Sequence, residues 1–515
     1  MSNKGVLVVA DGYDAVVIGG GHNGLVAALY LARAGWRTVV LERDAIAAGG
    51  CVRSEELTAP GHIHDVFATN MNLFRGSPVA AELGEELAGN GLDYATSARP
   101  FASVFPDGSW LGVHQDGART LAGLGERDAD GWRELDALYE RLAPALFALY
   151  GTRLTGRSLA RVALGQGRAL RGAGLAELAR LLASSTRELG DEYLVSREAK
   201  ALLACWGMHL DFAPDVAGGA MFPFLEAFTD VRTGISLVRG GASRLTDALC
   251  ALLREAGGEL RLGADVARVL LAGARATGVE LADGERVMAR RAVIANLSPA
   301  VLYGRLLAGE ALAARVRRGA ARYSYGPGTM MVHLALSAPV PWAAGPELGE
   351  FAYVHIAPYT DDLARTYVAA CAGELPAEPL LVVGQTSAVD PTRGGHVVWI
   401  QVRALPPDAP ESYAEQVMEK LERYAPGVGA LVLGRAVLTP AELERRNPNL
   451  VGGDSIAGSM HLRQNFVLRP FPGVRDYESG VGALYMTGAS TWPGAGVNAL
   501  SGYNVARKLL ARGRR

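Results

Sequence analysis

Cysteine is scarce in this 515-residue chain: four residues, at positions 51, 205, 250 and 371, with no CxxC pair among them. That excludes a dithiol redox centre and a zinc knuckle, and it fits a reducing compartment. Net charge is nearly absent, −2 at neutral pH, so no global field draws the chain to nucleic acid or to an acidic membrane. No His or Cys cluster has metal-ligand spacing, so no metal site is expected, and neither a GxSxG nor a P-loop motif occurs. Long hydrophobic runs are also missing. The longest uncharged window, residues 15–32, reaches membrane length, but it holds three adjacent glycines followed by His22 and Asn23, as a strand–turn–helix would. The opening "MSNKGVLVVADGYD" has one lysine and a short apolar run broken by Asp11, too little for a signal peptide. The cytoplasm is the expected location.

Glycine, by contrast, is abundant, 64 residues, and the densest cluster carries the first motif. In "YDAVVIGGGHNGLVAALYLARAGWRTVVLERD", residues 15–18 are a largely β-branched run, the pattern of a buried parallel strand. Leu25, Ala28, Leu29 and Ala32 then recur at helical spacing, Gly35 stops the helix, and residues 38–41 form a second strand ending at Glu42. This is one β-α-β unit of roughly 30 residues. Gly19 permits the tight turn, Gly21 lets backbone approach a pyrophosphate, and Gly24 lets the helix pack on the strand. The helix N-terminus offers free N–H groups and partial positive charge to the phosphates. Glu42, 18 residues beyond Gly24, is placed to accept hydrogen bonds from ribose hydroxyls. Asn23 and Arg43 adjoin these positions and are counted with the dinucleotide site. His22 is a variable turn position without assigned chemistry. The alternative is a glycine-rich turn in an unrelated α/β domain.

A chain this long exceeds one core, so two domains are expected. After Glu42 it enters a loop with a second glycine pair, Gly49 and Gly50. That order resembles the two-dinucleotide-binding-domain flavoproteins and favours FAD over NAD. The same domain is met again in "GGASRLTDALCALLREAGGELRLGADVARVLL". There a helix from a Ser243 cap precedes short strands at 259–262, 266–271, 276–281 and 286–288, with a further strand at 292–295. It is met a third time at the C-terminus, where a strand at 484–487, the Gly488-Ala489 turn and the helix "GVNALSGYNVARKLL" follow one another.

Taken in order, "GGGHNGLVAALYLARAG…VVLERD…GG", "GGASRLTDAL", "NPNLVGGDSIAGSMHLRQNF…RP" and "LYMTGASTWPGAGVNALSGYN" resemble the phytoene-desaturase-like flavin oxidoreductases, in their non-carotenoid branch. The resemblance spans nearly the whole chain and is weakest between about 90 and 230. It implies an α/β fold: a Rossmann-like FAD-binding domain (residues 11–75, 235–300 and 470–512) interleaved with an α+β substrate domain having a helical cap (76–234 and 301–469). It implies non-covalently bound FAD. Gly19, Gly21 and Gly24 would meet the pyrophosphate, Glu42 the adenosine ribose, and Gly49 and Gly50 the ribityl–flavin region. Val266 would hydrogen-bond adenine through its backbone, unless it is a structural strand residue. Gly488 and Ala489 would approach the pyrophosphate and ribityl chain, and Gly496, Val497 and Asn498 would set a helix N-terminus beneath the flavin. Two positions depart from the pattern. Ala489 replaces the acid many relatives use to hold the ribityl chain. Cys51 replaces the arginine of many desaturases, Arg53 being left out of the site; Cys51 is read as a small turn residue rather than a covalent flavin attachment.

The implied chemistry is hydride transfer from a substrate carbon to flavin N5, a desaturation or oxidation of a hydrophobic or secondary-metabolite substrate. Two alternatives share the fold: an amine or amino-acid oxidase, and a non-catalytic carrier of lipid or prenylated partners. Such chemistry needs mainly orientation and a dry pocket, so catalytic side chains are weakly specified. His64, Asp65 and Trp492 are candidates by proximity to the flavin motifs, and His209 as a substrate-facing group. His333 and His396 fall in strand patterns and are expected to be structural. The expected partners are a small, largely apolar substrate and oxygen or a quinone as electron acceptor, with no nucleic acid. Residues 76–230 read as mainly helical, with Trp132, Leu135, Leu138 and Leu142 on one stripe. The arginine-rich stretch from 153 to 187 is either a solvated helix face over a core or a peripheral membrane contact. Strands at "TMMVHLALS", "LLVVGQ" and "HVVWIQVRAL", with a helix at "SYAEQVMEKLERYAPG", are expected to roof the flavin. Oligomeric state is left open.

Overall fold

The computed structural model describes residues 12–512. The opening segment read above for a leader, and residue 11 of the first expected domain segment, lie outside them. Two seven-stranded sheets organise the chain. In the first, Glu259–Arg261, Thr38–Leu41, Tyr13–Ile18, Arg286–Ala295 and Leu484–Met486 lie side by side in that order, all parallel. Both faces are covered, which is why these strands read as unbroken apolar runs. Ala15, Val17, Val40 and Ile294 point to one face, under the helices His22–Arg33, Ser243–Glu255 and Leu500–Arg512. Val16, Ile18, Val39 and Val293 point to the other. An antiparallel meander, Val266–Ala272, Arg275–Leu281 and the first half of Arg286–Ala295, covers that face with Val269 and Val279. The two short strands expected at 286–288 and 292–295 are thus one, whose ends pair with different neighbours.

The second sheet runs Val432–Leu438, Gly328–Leu336, His396–Leu405, Leu380–Gly384, Tyr353–Ile356, Phe101–Val104, Trp110–Val113, antiparallel except where Tyr353–Ile356 meets Phe101–Val104. One face carries Met330, Val332, Val354, Ile400 and Val402, closed by helix Tyr413–Tyr424 through Val417 and Leu421. The other carries Met331, Tyr353 and Trp399 toward helices Glu126–Tyr150, Arg197–Gly207 and Met221–Thr233.

The region 76–230 is mainly helical, as expected, and also supplies the strands Tyr94–Ser97, Phe101–Val104 and Trp110–Val113, the last two joined by a turn at Asp107-Gly108, an Asp-Gly signal that marks hairpins. Two sequence expectations are corrected. The last helix begins at Leu500, not at residue 496; Asn498 Oδ1 accepts from the Leu500 N–H at 2.9 Å, and residues 496–499 stay a loop. Ser243 lies inside its helix instead of capping it, and its hydroxyl accepts from the Ser54 N–H at 2.7 Å. The expected stripe of Trp132, Leu135, Leu138 and Leu142 is buried. The arginine-rich helix Gly156–Ala183 buries only Gly174 and Leu181, but Leu181 joins the core and Leu170, Leu178 and Leu182 pack against it, so its second half is a solvated face over a core. Among the described residues no helix is long and apolar enough to cross a membrane.

Candidate active site

Parallel strands end together, and their carboxyl ends build the site. Chain order reverses beside Tyr13–Ile18, with Thr38–Leu41 on one side and Arg286–Ala295 on the other, the switch point where α/β sheets open a crevice. Gly19 leaves the first strand at φ +93° with its N–H on the Leu41 carbonyl. Asn296 leaves the fourth, donating its N–H to the Ile18 carbonyl. Gly488 follows the last, its N–H on Ser501 Oγ at 2.9 Å. The glycines are enforced by neighbours. A Cβ on Gly24 would collide with the Gly19 carbonyl, and one on Gly21 would stand 2.9 Å from Asn296 Nδ2. Gly49 bridges to Gly21 and donates to the Gly20 carbonyl at 3.0 Å, which presses the second glycine pair against the first. Glu42 Oε2 accepts from the Gly20 N–H at 2.7 Å and Oε1 from the Asp44 N–H at 2.9 Å. Asn23 Oδ1 accepts from Ser501 Oγ at 2.8 Å, tying the first loop to the last helix.

A cavity of about 650 Å³ opens on this edge, within the range of cofactor and ligand sites. Of the sequence-predicted cofactor residues, Gly19, Gly21, Asn23, Glu42, Arg43, Gly50, Val266, Gly488, Ala489, Gly496 and Val497 line it. Gly24 and Gly49 lie behind it as packing positions. Asn498 is buried behind the loop, its amide donating to Tyr150 Oη at 2.9 Å. Arg43 donates to the carbonyls of Arg445 and Arg446. Cys51 also faces the cavity; burial pushes its thiol up to about 11, so it stays protonated and unreactive.

Two residues at this edge escaped the sequence reading. Asn296 stands between the first and third glycine loops; its position, first after a buried strand as Gly19 is, was the available signal. Arg469 is buried and donates to the Ala489 carbonyl at 2.9 and 2.7 Å, so the loop lacking the usual acid is held by its backbone instead. The fit to an adenine–flavin dinucleotide rests on this cradle, which a side chain at Gly21 would fill, and on the carboxylate of Glu42 at its rim.

Beyond the glycine loops the cavity continues under the second sheet. Trp399, Gln401 and Arg403 alternate along one strand, Thr329 and Met331 along the next, and Tyr353 beyond. Trp206, His209, Phe222 and Glu226 close it from the helices. Burial pushes the Glu226 carboxyl up to about 7, although Asn70 Nδ2 donates to it at 3.0 Å. Asp230, one turn on, is raised further by burial and by Glu226, and its Oδ2 has no partner. Burial holds His209 well below the usual imidazole range, with Arg403 adding to the effect; it is neutral, and packs on Trp206 with ring centroids 4.6 Å apart.

The structure does not bring the other three catalytic candidates to the cavity. His64 is fully buried, hydrogen-bonded to Thr58 Oγ1 at 2.7 Å and edge-on to His333. Asp65 pairs with buried Arg393 at 3.0 Å and accepts from Ser54 Oγ and the Ala242 N–H. Trp492 donates to the Thr152 carbonyl at 2.9 Å between Tyr150 and Phe466.

The family described as flavin containing amine oxidoreductase matches residues 24–510. The chain belongs to that family. FAD is therefore its cofactor, and the protein is an FAD-dependent oxidoreductase acting on a small molecule. It is 29% identical to the rat (Rattus norvegicus) pyridine nucleotide-disulfide oxidoreductase domain-containing protein 2, over 96% of this chain and 92% of that one. It is 26% identical to phytoene dehydrogenase of Streptomyces griseus, over 94% and 92%, in keeping with the phytoene-desaturase-like resemblance. An oxidoreductase from Methanosarcina mazei shares the fold, with a TM-score of 0.61 at 16% identity over 97% of this chain and 100% of the other.

Proposed function

We propose that this flavin oxidoreductase desaturates or oxidises a small, largely apolar molecule held in the chamber beneath the second sheet. One observation carries the reading: a single cavity runs from the glycine loops to a wall of Trp206, Phe222, Met331, Tyr353 and Trp399. FAD, when bound, supplies the acceptor for a hydride leaving a substrate carbon. The chain's own part is placement. Residues 19–24 and the N-terminus of helix His22–Arg33 take the phosphates, Glu42 the ribose, Val266 the adenine, and residues 488–489 and 496–498 the ribityl–flavin end. Gly49 and Gly50 back the ribityl–flavin region. We accordingly assign residues 12–75, 235–300 and 470–512 to the FAD-binding domain, and 76–234 with 301–469 to the substrate domain. The aromatic wall orients the substrate and excludes water. Glu226 is the chamber group able to hold or release a proton near neutrality. His64, Asp65 and Trp492 act as supports, and His209 as a neutral wall residue. The four cysteines are free, which supports a cytoplasmic location. The arginine-rich helix Gly156–Ala183, with Leu164 and Leu175 exposed, suits peripheral contact with a membrane that stores such substrates.

The test is anaerobic mixing of FAD-loaded protein with apolar alkenes and alcohols, and separately with simple primary amines. Flavin bleaching by the first set is expected. Bleaching by the amines alone would replace this reading with amine oxidation. Reoxidation with oxygen or with a quinone then identifies the acceptor.

A further inference from the structure

An arginine in the middle of a central strand needs explaining. The strand His396–Leu405 lies between Gly328–Leu336 and Leu380–Gly384. Its Val398, Ile400 and Val402 enter the hydrophobic core, so Arg403 is directed to the chamber face with Trp399 and Gln401. Holding a cation inside a protein without a counter-charge is costly; Arg403 is half-buried at the cavity wall, whereas the fully buried arginines among the described residues are matched. Arg393 has Asp65 and Asp390. Arg469 donates to the carbonyls of Gly458, Ser459, Gln464 and Ala489. Among the described residues the Arg403 side chain makes one hydrogen bond, Nη1 to Ser455 Oγ at 2.6 Å, and its Nε is buried with no acceptor. Among the described residues it has no ion-pair partner. Asp454 is near enough to be felt, but its carboxylate is taken by the N–H groups of Gly326, Ile456 and Gly458 at 2.8–3.0 Å.

We propose that Arg403 is the recognition point for a substrate carboxylate, so that the molecule oxidised in the chamber is an apolar body ending in one carboxylate. The planar fork of a guanidinium matches a carboxylate, and Ser455 and Thr329, 3.2 Å apart, add hydroxyls beside it. At this end of the chamber the single unpaired guanidinium suits a monoanion. His209 is neutral, and the cavity's remaining arginines are engaged: Arg53 by Asp44 and Glu55, Arg305 by Asp265, Arg445 and Arg446 by Glu442, Arg43 by two carbonyls. A diphosphate would leave most of its charge uncompensated at Arg403, and an amine set there would meet a cation of like sign; Glu226, on the helix side of the chamber, is the group that could pair with an amine instead. Burial pulls the guanidinium down to about 10, in line with a charge that lacks its partner yet remains ionised at neutral pH. This inference rests on the chamber being the substrate site.

Calorimetric titration of FAD-loaded protein with decanoate, methyl decanoate, decanol and decylamine tests it. Decanoate should bind at least about tenfold more tightly than the other three, the scale of one charge-assisted contact. Arg403→Met should erase that preference while FAD content and the flavin spectrum stay unchanged, and Arg403→Lys should restore part of it. Equal affinity for decanoate and its methyl ester in the native protein would overturn the proposal, even if the variant failed to fold. So would a preference that survives Arg403→Met. A shifted flavin spectrum with the preference intact would assign Arg403 to the cofactor instead. Decanoate preference without oxidation of any apolar candidate would leave the anion site standing and remove the substrate reading, so the two fail separately.

Discussion

At the scale of single residues, the glycine loops were legible because their reasons are local. Gly19 needs a left-handed turn, Gly24 faces a carbonyl, and Glu42 follows a strand at a fixed distance. Glu42 carries the sharpest consequence. Its carboxylate is held by two backbone N–H groups, which fix its position and leave lone pairs for a ribose. Glu42→Ala should weaken FAD binding by about 1.5–3 kcal/mol, the worth of a charge-assisted hydrogen bond, read by titrating apoprotein with FAD; unchanged affinity would remove the ribose assignment. Glu226 and Arg403 were not legible. Nothing near either residue marks it, because the chamber is assembled from segments scattered between residues 206 and 455. His64 and Asp65 were chosen for nearness in sequence to the glycine motif, and that nearness turned out to serve packing.

Among elements, the small hairpin of Ser54–Glu55 and His64–Asp65 explains where those two side chains went. Asp65, Asp390 and the carbonyl of Val238 converge on Arg393, which is wholly buried. The cluster thereby locks the hairpin after the first β-α-β unit to the loop before helix Ser243–Glu255 and to the second sheet. Arg393→Met would strand two buried carboxylates and should cost about 3–5 kcal/mol in chemical denaturation; a loss below 1 kcal/mol would show the cluster to be dispensable. The long strands and helices were readable from period and length. The hairpin of Phe101–Val104 and Trp110–Val113 was missed because four-residue strands carry little periodicity. The last helix was started early because its loop, residues 496–499, is as apolar as its first turn.

Across the whole molecule, two sets of buried titratable groups act in opposite directions. Burial holds His64 down to about 4 and His333 and His355 down to about 3, below the ordinary 6.5. Their stabilising contribution is present above pH 6.5 and is lost as pH falls toward those values. Burial pushes Glu226 up to about 7 and Asp454 up to about 6; their contribution is present below the ordinary carboxylate range and is lost as pH rises through 6 to 7. Relative to the native protein, His333→Phe should therefore gain stability as pH falls from 7 to 4, and Glu226→Gln as pH rises from 5 to 8, in thermal melts. Parallel melting curves for both variants would contradict the assignment. The account as a whole rests on one cradle made from the ends of strands near residues 18, 41, 295 and 486. The direct measurement is a crystal structure of the protein grown with FAD. One FAD molecule should lie in the cavity with its pyrophosphate on residues 19–24, its ribose at Glu42 and its ring between residues 488–498 and the second sheet. FAD bound elsewhere, or touching only the first of the three glycine segments, would contradict the account.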